Sequence, residues 1–153
     1  MPTPSFNDAV AACGTTLTRG ATEILQLNLG SLCNLTCSHC HVNAGPHRKE
    51  VMAAETVDQI LEWWLRTDIS TLDLTGGAPE MVPDFRRLIE IARAERPSCR
   101  IIDRCNLTIL EDPHHYDLAE FLAQRRVDVI ASMPCYAPEN VDSQRGEGVF
   151  DQS

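Results

Sequence analysis

Apolar and polar positions alternate along the chain in two periods, one typical of strands and one typical of helices. Four short segments rich in Leu, Ile and Val predict buried strands, at residues 22–29, 71–75, 100–103 and 127–132. Apolar residues at helical spacing predict three amphipathic helices between them, at residues 55–66, 83–96 and 114–126. Trp64 lies on the apolar face of the first helix, so we expect it to pack in the core.

The order of these elements predicts an α/β fold with a parallel sheet. Strand centres near residues 73, 102 and 129 are about 28 residues apart, which is the length of one βα unit. Ligands of such folds bind beyond the carboxyl ends of the strands. Four loops converge at that edge, at residues 30–50, 76–78, 105–106 and 135–136.

The two ends of the chain lie outside this pattern. Residues 1–21 form a mixed leader, in which one short helix is expected around Phe6 to Ala12. Residues 137–153 form a polar tail that shows no packing period. The folded core is therefore expected to span residues 22–136.

Composition and charge exclude several classes of protein. Hydrophobic residues make up 43% of the chain and charged residues 23%, as in ordinary globular proteins. The net charge of −9 argues against a nucleic-acid partner or an anionic membrane surface, which require a basic field. No apolar stretch approaches the ~18–20 residues of a membrane span, and the first residues lack the pattern of a signal peptide. We expect a cytoplasmic protein.

Three of the seven cysteines lie close together in the loop after the first strand, as Cys33, Cys37 and Cys40. An odd number of cysteines in a reducing compartment argues against a disulfide framework and favours metal or redox chemistry. The C-x3-C-x2-C spacing can ligate three irons of a four-iron cluster. One iron is then left open for another ligand, as at catalytic zinc sites.

Other interpretations of this loop remain open. Zinc could bind the three thiolates together with His39 or His41. Cys37 and Cys40 alone form a CxxC pair of the kind found in thioredoxin-like redox proteins. The three thiols could be structural, or a closed electron-transfer cluster could recruit Cys105 or Cys135 as its fourth ligand.

The cysteine spacing and the Gly-Gly turn after the second strand together resemble the radical S-adenosylmethionine (SAM) superfamily. Residues 72–80 (LDLTGGAPE) resemble its glycine-rich SAM-amine motif, with Ala78 where the usual form has Glu, and with Glu80 two positions later. A finer resemblance is to the arsenosugar biosynthesis radical SAM protein (ArsS) family. It rests on residues 40–46, 75–80, 103–110, 133–136 and 139–146.

This resemblance implies a fold and a reaction. The fold is a parallel-sheet partial (βα) barrel, truncated here to about four βα units. Cys33, Cys37 and Cys40 hold a 4Fe-4S cluster whose fourth iron is chelated by SAM. One electron, from a donor such as flavodoxin or ferredoxin, cleaves SAM and yields a 5′-deoxyadenosyl radical. The expected substrate is a small molecule, a methylated arsenic species that becomes adenosylated.

Further site residues follow from the motifs. The backbone of Gly76 and Gly77, with Ala78 and Glu80 in the same motif, is expected to contact SAM, because glycine permits close approach. Asn106 is expected to contact SAM or substrate. The thiols expected to bind arsenic are those of Cys105 and Cys135, whereas those of Cys13 and Cys99 are expected to be structural.

The length of the chain bears on its activity. Six βα units of about 31 residues would need about 190 residues, and this chain has 153. We therefore expect an N-terminal fragment, a truncated gene product or half of a split enzyme. The alternatives to a catalyst are a non-catalytic iron–sulfur or zinc module and an inactive homologue.

Overall fold

Four parallel strands pair in chain order in the computed structural model, which describes residues 3–153. They are β1 (Ile24–Asn28), β2 (Thr71–Thr75), β3 (Arg100–Asp103) and β4 (Asp128–Val129). Every pairing is parallel, from β1 to β2, β2 to β3 and β3 to β4. The α/β class and the partial (βα) barrel with four units are thereby confirmed.

Helices cover one face of the sheet and enclose the core. They are α2 (Ala54–Trp64), α3 (Phe85–Glu95) and α4 (Leu118–Gln124). Trp64 is fully buried, and its indole Nε1 donates a hydrogen bond to the carbonyl oxygen of Ile69 at 2.9 Å. The predicted place of Trp64 in the core is confirmed, since the polar end of its ring is paired as burial requires.

The third predicted helix and the fourth predicted strand are shorter than expected. Pro113–His115 forms a separate 3₁₀ turn because the Asp112 side chain accepts the backbone N–H of His114 at 2.8 Å, so α4 starts only at Leu118. The regular ladder of β4 stops at Val129, although single backbone hydrogen bonds to the β3 segment continue as far as Ser132.

The C-terminal tail is folded, contrary to the expectation from its polar sequence. It forms α5 (Pro138–Arg145) and α6 (Val149–Gln152), whose buried residues include Val141 and Val149. The carboxylate of Asp142 accepts the backbone N–H groups of Gly148 and Phe150 at 3.0 and 2.9 Å and thereby fixes the turn between the two helices. A helix with so few apolar positions carries too weak a period to be recognised in the sequence.

The leader forms the expected short helix, α1 (Phe6–Ala12), with Ser5 as its N-cap. No residue of α1 is buried, and Cys13 beside it is exposed, so the expected structural role of Cys13 is not supported. Cys99 is buried, as expected. Within residues 3–153, no helix is long and apolar enough to cross a bilayer.

Candidate functional site

A cavity of about 700 Å³ opens at the carboxyl ends of the strands. Side chains or backbone from every strand or its following loop line it, including Asn28, Gly76, Asn106 and Ser132. A volume of this size suits a small ligand or cofactor. Three of the four predicted loops thus line one cavity, at the edge where parallel α/β folds bind their ligands, and residues 130–134 line it in place of residues 135–136.

All three cysteines of the loop after β1 line this cavity. Cys33 is buried, whereas Cys37 and Cys40 are partly exposed. Backbone N–H groups point at two of the sulfurs: Leu35 donates to the Sγ of Cys33 at 3.4 Å, and Ala44 donates to the Sγ of Cys40 at 3.3 Å. Such donors stabilise the negative charge of a thiolate, so the backbone of the loop favours the ionised form in which cysteine binds a metal.

Burial raises the pKa of Cys33, and the neighbouring sulfurs of Cys37 and Cys40 add to the effect. Burial also raises the pKa of Cys37, opposed by the positive charge of Arg145. Three adjacent thiolates repel one another unless a cationic group lies between them. The donor set therefore fits a metal centre.

The spacing of the sulfurs argues against a single zinc ion. Tetrahedral zinc with Zn–S bonds of about 2.3 Å needs sulfurs about 3.8 Å apart. Among the described residues, three potential ligand atoms all lie within 4.8 Å of one another at Glu80, Asp103 and Cys105, and the three loop thiols do not form such a set. His39 and His41 line the cavity with exposed side chains. The three loop thiols therefore do not form a preassembled tetrahedral zinc site in this structure.

The Gly-Gly turn packs directly against the cysteine loop. Gly77 and Ala78 donate backbone hydrogen bonds to the carbonyl oxygens of Gly30 and Leu32, each at 2.8 Å. A Cβ at Gly77 would lie 2.2 Å from the carbonyl oxygen of Leu32. At Gly76, where φ is +149°, a Cβ would lie 2.7 Å from the carbonyl oxygen of Gly30. Only glycine allows this contact.

The carbonyl groups of the same turn remain available to a ligand. Gly76 and Gly77 both line the cavity. Within residues 3–153, no hydrogen bond reaches their carbonyl oxygens. Ala78 is buried beneath the cysteine loop and does not line the cavity. The turn therefore holds the cysteine loop in place and also presents two unoccupied carbonyl oxygens to the cavity.

Asn106 connects the end of β3 to the cysteine loop. Its Nδ2 donates to the Oδ1 of Asn34 at 2.7 Å and lies 3.8 Å from the Sγ of Cys33. Its Oδ1 accepts from the hydroxyl of Thr108 and the backbone N–H of Ile109. Asn106 lines the cavity, and it also positions the loop that carries Cys33.

Three other predicted site residues lie away from the cavity. Glu80 and Cys105 are buried in the protein and do not line it. Cys135 is partly exposed beyond the lining residue Pro134, and it accepts a hydrogen bond from the side chain of Asn140 at 3.5 Å. Backbone N–H groups and Asn140 lower the pKa of Cys135. The two thiols expected to bind substrate are thus not brought together.

Arg104 lies at the predicted ligand edge after β3, whereas its buried partner Asp73 and a second cation, Arg145, were not recognised in the sequence. Arg104 lines the cavity and forms a bidentate ion pair with the buried Asp73, at 2.8 and 2.7 Å. Gln26 donates to the same carboxylate at 3.0 Å. The pairing with Arg104 lowers the pKa of Asp73. The sequence signal for this ion pair was Asp73, an acidic residue in the middle of the apolar strand β2.

Arg145 is the second cation, and the polar tail gave no signal for it. It is 7% exposed and lines the cavity, close enough to Cys37 to act on its charge. Its guanidinium donates to the hydroxyl of Ser132 at 3.0 Å, while its Nε has no partner among the described residues. No carboxylate in the described part of the chain pairs with it, so the cysteine loop faces an unneutralised cation.

Comparisons with known proteins agree with this geometry. Mycofactocin maturase MftC of Mycolicibacterium smegmatis is 26% identical over 129 residues, which cover 84% of this chain and 32% of the relative. A probable GTP 3′,8-cyclase of Pyrococcus abyssi is 33% identical over 73 residues, covering 48% of this chain and 23% of the relative. The chain thus spans about a third or less of the length of these relatives.

Solved structures share the fold. SuiB of Streptococcus suis bound to S-adenosylmethionine superimposes with a TM-score of 0.67 at 16% identity, over 86% of this chain and 29% of SuiB. The structure of anSMEcpe with bound AdoMet also gives a TM-score of 0.67, at 21% identity, over 86% of this chain and 38% of the anSMEcpe chain. The sequence pattern of the radical SAM superfamily matches residues 27–134, more than half of this chain. The protein therefore belongs to the radical SAM superfamily, whose members bind a 4Fe-4S cluster and S-adenosylmethionine.

Proposed function

We propose that Cys33, Cys37 and Cys40 hold the 4Fe-4S cluster of this chain and leave one iron to SAM. The observation that carries the proposal is the shared cavity. The three thiols and the free carbonyl groups of Gly76 and Gly77 line the same space at the strand ends. Residues 22–136 are the proposed radical SAM core, preceded by the leader 1–21 and followed by the tail 137–153.

When bound, the cluster supplies the electron for reductive cleavage of SAM. The residues of this chain bind and orient the reactants. The carbonyl oxygens of Gly76 and Gly77 accept hydrogen bonds from the SAM ammonium group. They are available because no donor in the described chain reaches them. Asn106 keeps the Cys33 loop in place through Asn34. Glu80 and Ala78 support the turn from behind.

Arg104 is the proposed contact for an anionic group in the cavity. Its Nε and Nη2 atoms are committed to Asp73, while its Nη1 has no hydrogen-bond partner within residues 3–153. The buried carboxylate holds the guanidinium in one orientation, which favours recognition of a carboxylate or an oxyanion. The SAM carboxylate and an oxygen-bearing substrate are the two groups of this kind.

We further propose that the reaction is the adenosylation of a methylated arsenical in arsenosugar biosynthesis. Support comes from the resemblance of residues 103–110 and 133–146 to the arsenosugar biosynthesis family. Cys135 adds a chemical argument: it lies outside the cavity but directly follows the lining residue Pro134, and a thiol of lowered pKa suits a thiophilic centre such as trivalent arsenic. Flavodoxin or ferredoxin is the proposed electron donor.

Anaerobic reconstitution with iron and sulfide tests the proposed cluster. We expect a reduced cluster whose EPR signal changes when SAM is added, and 5′-deoxyadenosine after dithionite is supplied. Cys37→Ala is expected to abolish the signal, whereas Cys13→Ala, at an exposed thiol of the leader, leaves it unchanged. A cluster insensitive to SAM would leave a non-catalytic module, and zinc without iron would overturn the proposal.

The substrate needs a separate experiment. A trivalent dimethylated arsenical is added to the reconstituted chain with SAM and reductant, and products are separated by liquid chromatography with arsenic detection. We expect an adenosylated arsenical that is missing with Cys37→Ala and reduced with Cys135→Ser. If 5′-deoxyadenosine forms while arsenic stays unmodified, the radical SAM activity stands and the arsenical substrate is wrong.

A further inference from the structure

Glu80, Asp103 and Cys105 form a compact cluster on the side of the sheet that faces the helices. Asp103 is paired in register with Leu74, which in turn is paired with Leu27, so its side chain lies on the same face as these core residues. Glu80 comes from the 3₁₀ turn Pro79–Met81 after β2. One ligand atom from each of the three residues lies within 4.8 Å of the other two.

The cluster is buried, and its carboxylates have no partner outside it. Glu80 is 5% exposed, and Asp103 and Cys105 are 0% exposed. No side chain outside the cluster donates to the carboxylate oxygens of Glu80 and Asp103 among the described residues, so the side-chain groups within their reach are each other and the Cys105 thiol. Two unpaired carboxylates in a protein interior are strongly destabilising unless a cation or protons neutralise them. The chain therefore leaves a place for positive charge here.

No Lys or Arg side chain supplies that charge within residues 3–153. Glu80 and Asp103 take part in no salt bridge there. His115 is close enough for its charge to act on Glu80, but its Nδ1 is itself buried without a hydrogen-bond partner. An imidazole with an unpartnered ring nitrogen is a potential metal ligand.

The donor set selects the kind of cation. One thiolate and two carboxylates combine a soft ligand with two hard ones, which suits Zn²⁺ or Fe²⁺ better than Ca²⁺ or Mg²⁺. We propose that Glu80, Asp103 and Cys105 form a second metal site, for one divalent transition-metal ion such as Zn²⁺. The fourth position is filled by His115 or by water.

The place of the site indicates a structural role. Glu80 follows the Gly-Gly turn, and Cys105 immediately precedes Asn106, which holds the Cys33 loop. A metal bound here ties the segment after β2 to the segment after β3. Both segments carry residues that line the cavity, so the ion stabilises its wall from the opposite side of the sheet. This inference does not depend on the proposed cluster or on its substrate.

The test uses the full-length chain with Cys33, Cys37 and Cys40 replaced by Ala, so that the loop thiols cannot bind metal. We expect about one Zn²⁺ per chain by elemental analysis, and a higher Tm than after chelator treatment. Replacing Zn²⁺ with Co²⁺ should give the near-ultraviolet charge-transfer band of a cobalt–thiolate bond. Removing one ligand with Cys105→Ser should abolish the band and weaken binding at least about tenfold.

Matched controls separate the site from other thiols and from misfolding. Cys99→Ser removes another buried thiol and should leave the band unchanged. Asp103→Asn and Glu80→Gln remove a negative charge without changing size, so they test the site even if Cys105→Ser fails to fold. The unsubstituted chain should also carry about one Zn²⁺ that Cys105→Ser removes. Absence of stoichiometric metal from the folded triple variant, or cobalt binding that ignores all three substitutions, would overturn the proposal.

Discussion

Arg145 is a buried cation that forms no salt bridge within residues 3–153. It lines the cavity with Cys37, and its positive charge opposes the rise in the pKa of that thiol. Burying an unpaired guanidinium is unfavourable unless negative charge lies nearby. The thiolates of the cysteine loop are the groups that can supply it, which links the C-terminal tail to the proposed cluster.

Replacing Arg145 with Gln should therefore make the proposed cluster harder to reduce. Loss of a nearby positive charge disfavours the more negative, reduced form, so the midpoint potential should fall by tens of millivolts. An EPR-monitored redox titration of the reconstituted chain measures it. Arg145→Lys keeps the charge and should stay close to the parent value. An unchanged potential in Arg145→Gln would show that the guanidinium serves only the fold of the tail.

Asp103 makes the stability of the folded chain depend on pH. Burial, with the adjacent charge of Glu80, raises the pKa of Asp103 from 3.8 to about 9, and burial also raises the pKa of Glu80. The folded protein without metal thus keeps a proton that the unfolded chain releases above about pH 4. Stability is then fully present below that pH and is lost as the pH rises towards 9.

For the chelator-treated chain, we expect the free energy of unfolding to fall between pH 5 and 9, by up to about 1.4 kcal/mol per pH unit. Urea denaturation at several pH values measures it. Asp103→Asn should flatten the dependence, because an amide cannot ionise. Added Zn²⁺ should oppose the loss at high pH, since a bound cation stabilises the ionised carboxylates. A flat profile for the parent chain would contradict this account.

At the scale of elements, the turn after β2 and the loop after β1 behave as one unit. The backbone of Gly77 and Ala78 donates to the loop carbonyls of Gly30 and Leu32, and no side chain fits between them. The geometry of one element therefore depends on that of the other. Substitutions in the turn should act on the cysteines even though they touch no sulfur.

Gly77→Ala tests this coupling. The added Cβ would lie 2.2 Å from the carbonyl oxygen of Leu32, so the backbone of one segment must move. We expect a loss of about 1–3 kcal/mol in stability and poor retention of iron after reconstitution. Denaturation and iron analysis measure the two effects. Gly20→Ala is the control, since its Cβ meets no atom within 4 Å. Equal behaviour of the two variants would contradict the coupling.

At the scale of the whole molecule, the two ends of the chain differ in their relation to the core. Helix α1 buries no residue, whereas α5 and α6 bury Val141, Arg145 and Val149. The backbone N–H of Ser38 in the cysteine loop donates to the carbonyl of Gln144 at 2.8 Å. The tail is therefore part of the site, and the leader is not.

Truncation should reveal this difference. None of the described residues 3–21 is buried, so deleting residues 1–21 should leave the Tm within about 2 °C of the parent value. Deleting residues 138–153 uncovers the cavity side of the cysteine loop and should lower both the Tm and the iron content. Thermal unfolding and iron analysis test both deletions. Marked destabilisation by the first deletion would mean that the leader packs on the core.

Much of this architecture was predictable from local patterns. The bounds of β2 and β3 follow directly from their apolar runs, and Trp64 and Phe85 lie in the core as helical periodicity requires. The predictions from the sequence were wrong where an element is stabilised by tertiary contacts and not by its own hydrophobic pattern. The tail helices are stabilised by the Asp142 turn and by burial against the site, and neither contact is visible in the hydrophobic pattern of the segment.

The sequence by itself determined the parallel α/β order, the cysteine spacing and the convergence of loops at one edge, because strand periodicity and chain order dictate which edge each loop reaches. Only the tertiary structure showed which residues at the strand ends face the cavity and which face the core. Asn106 lies in the cavity wall, while its neighbour Cys105 lies in the core with Glu80 and Asp103. The physical reason is alternation: adjacent residues at a strand end point to opposite faces, and only packing reveals what each face meets.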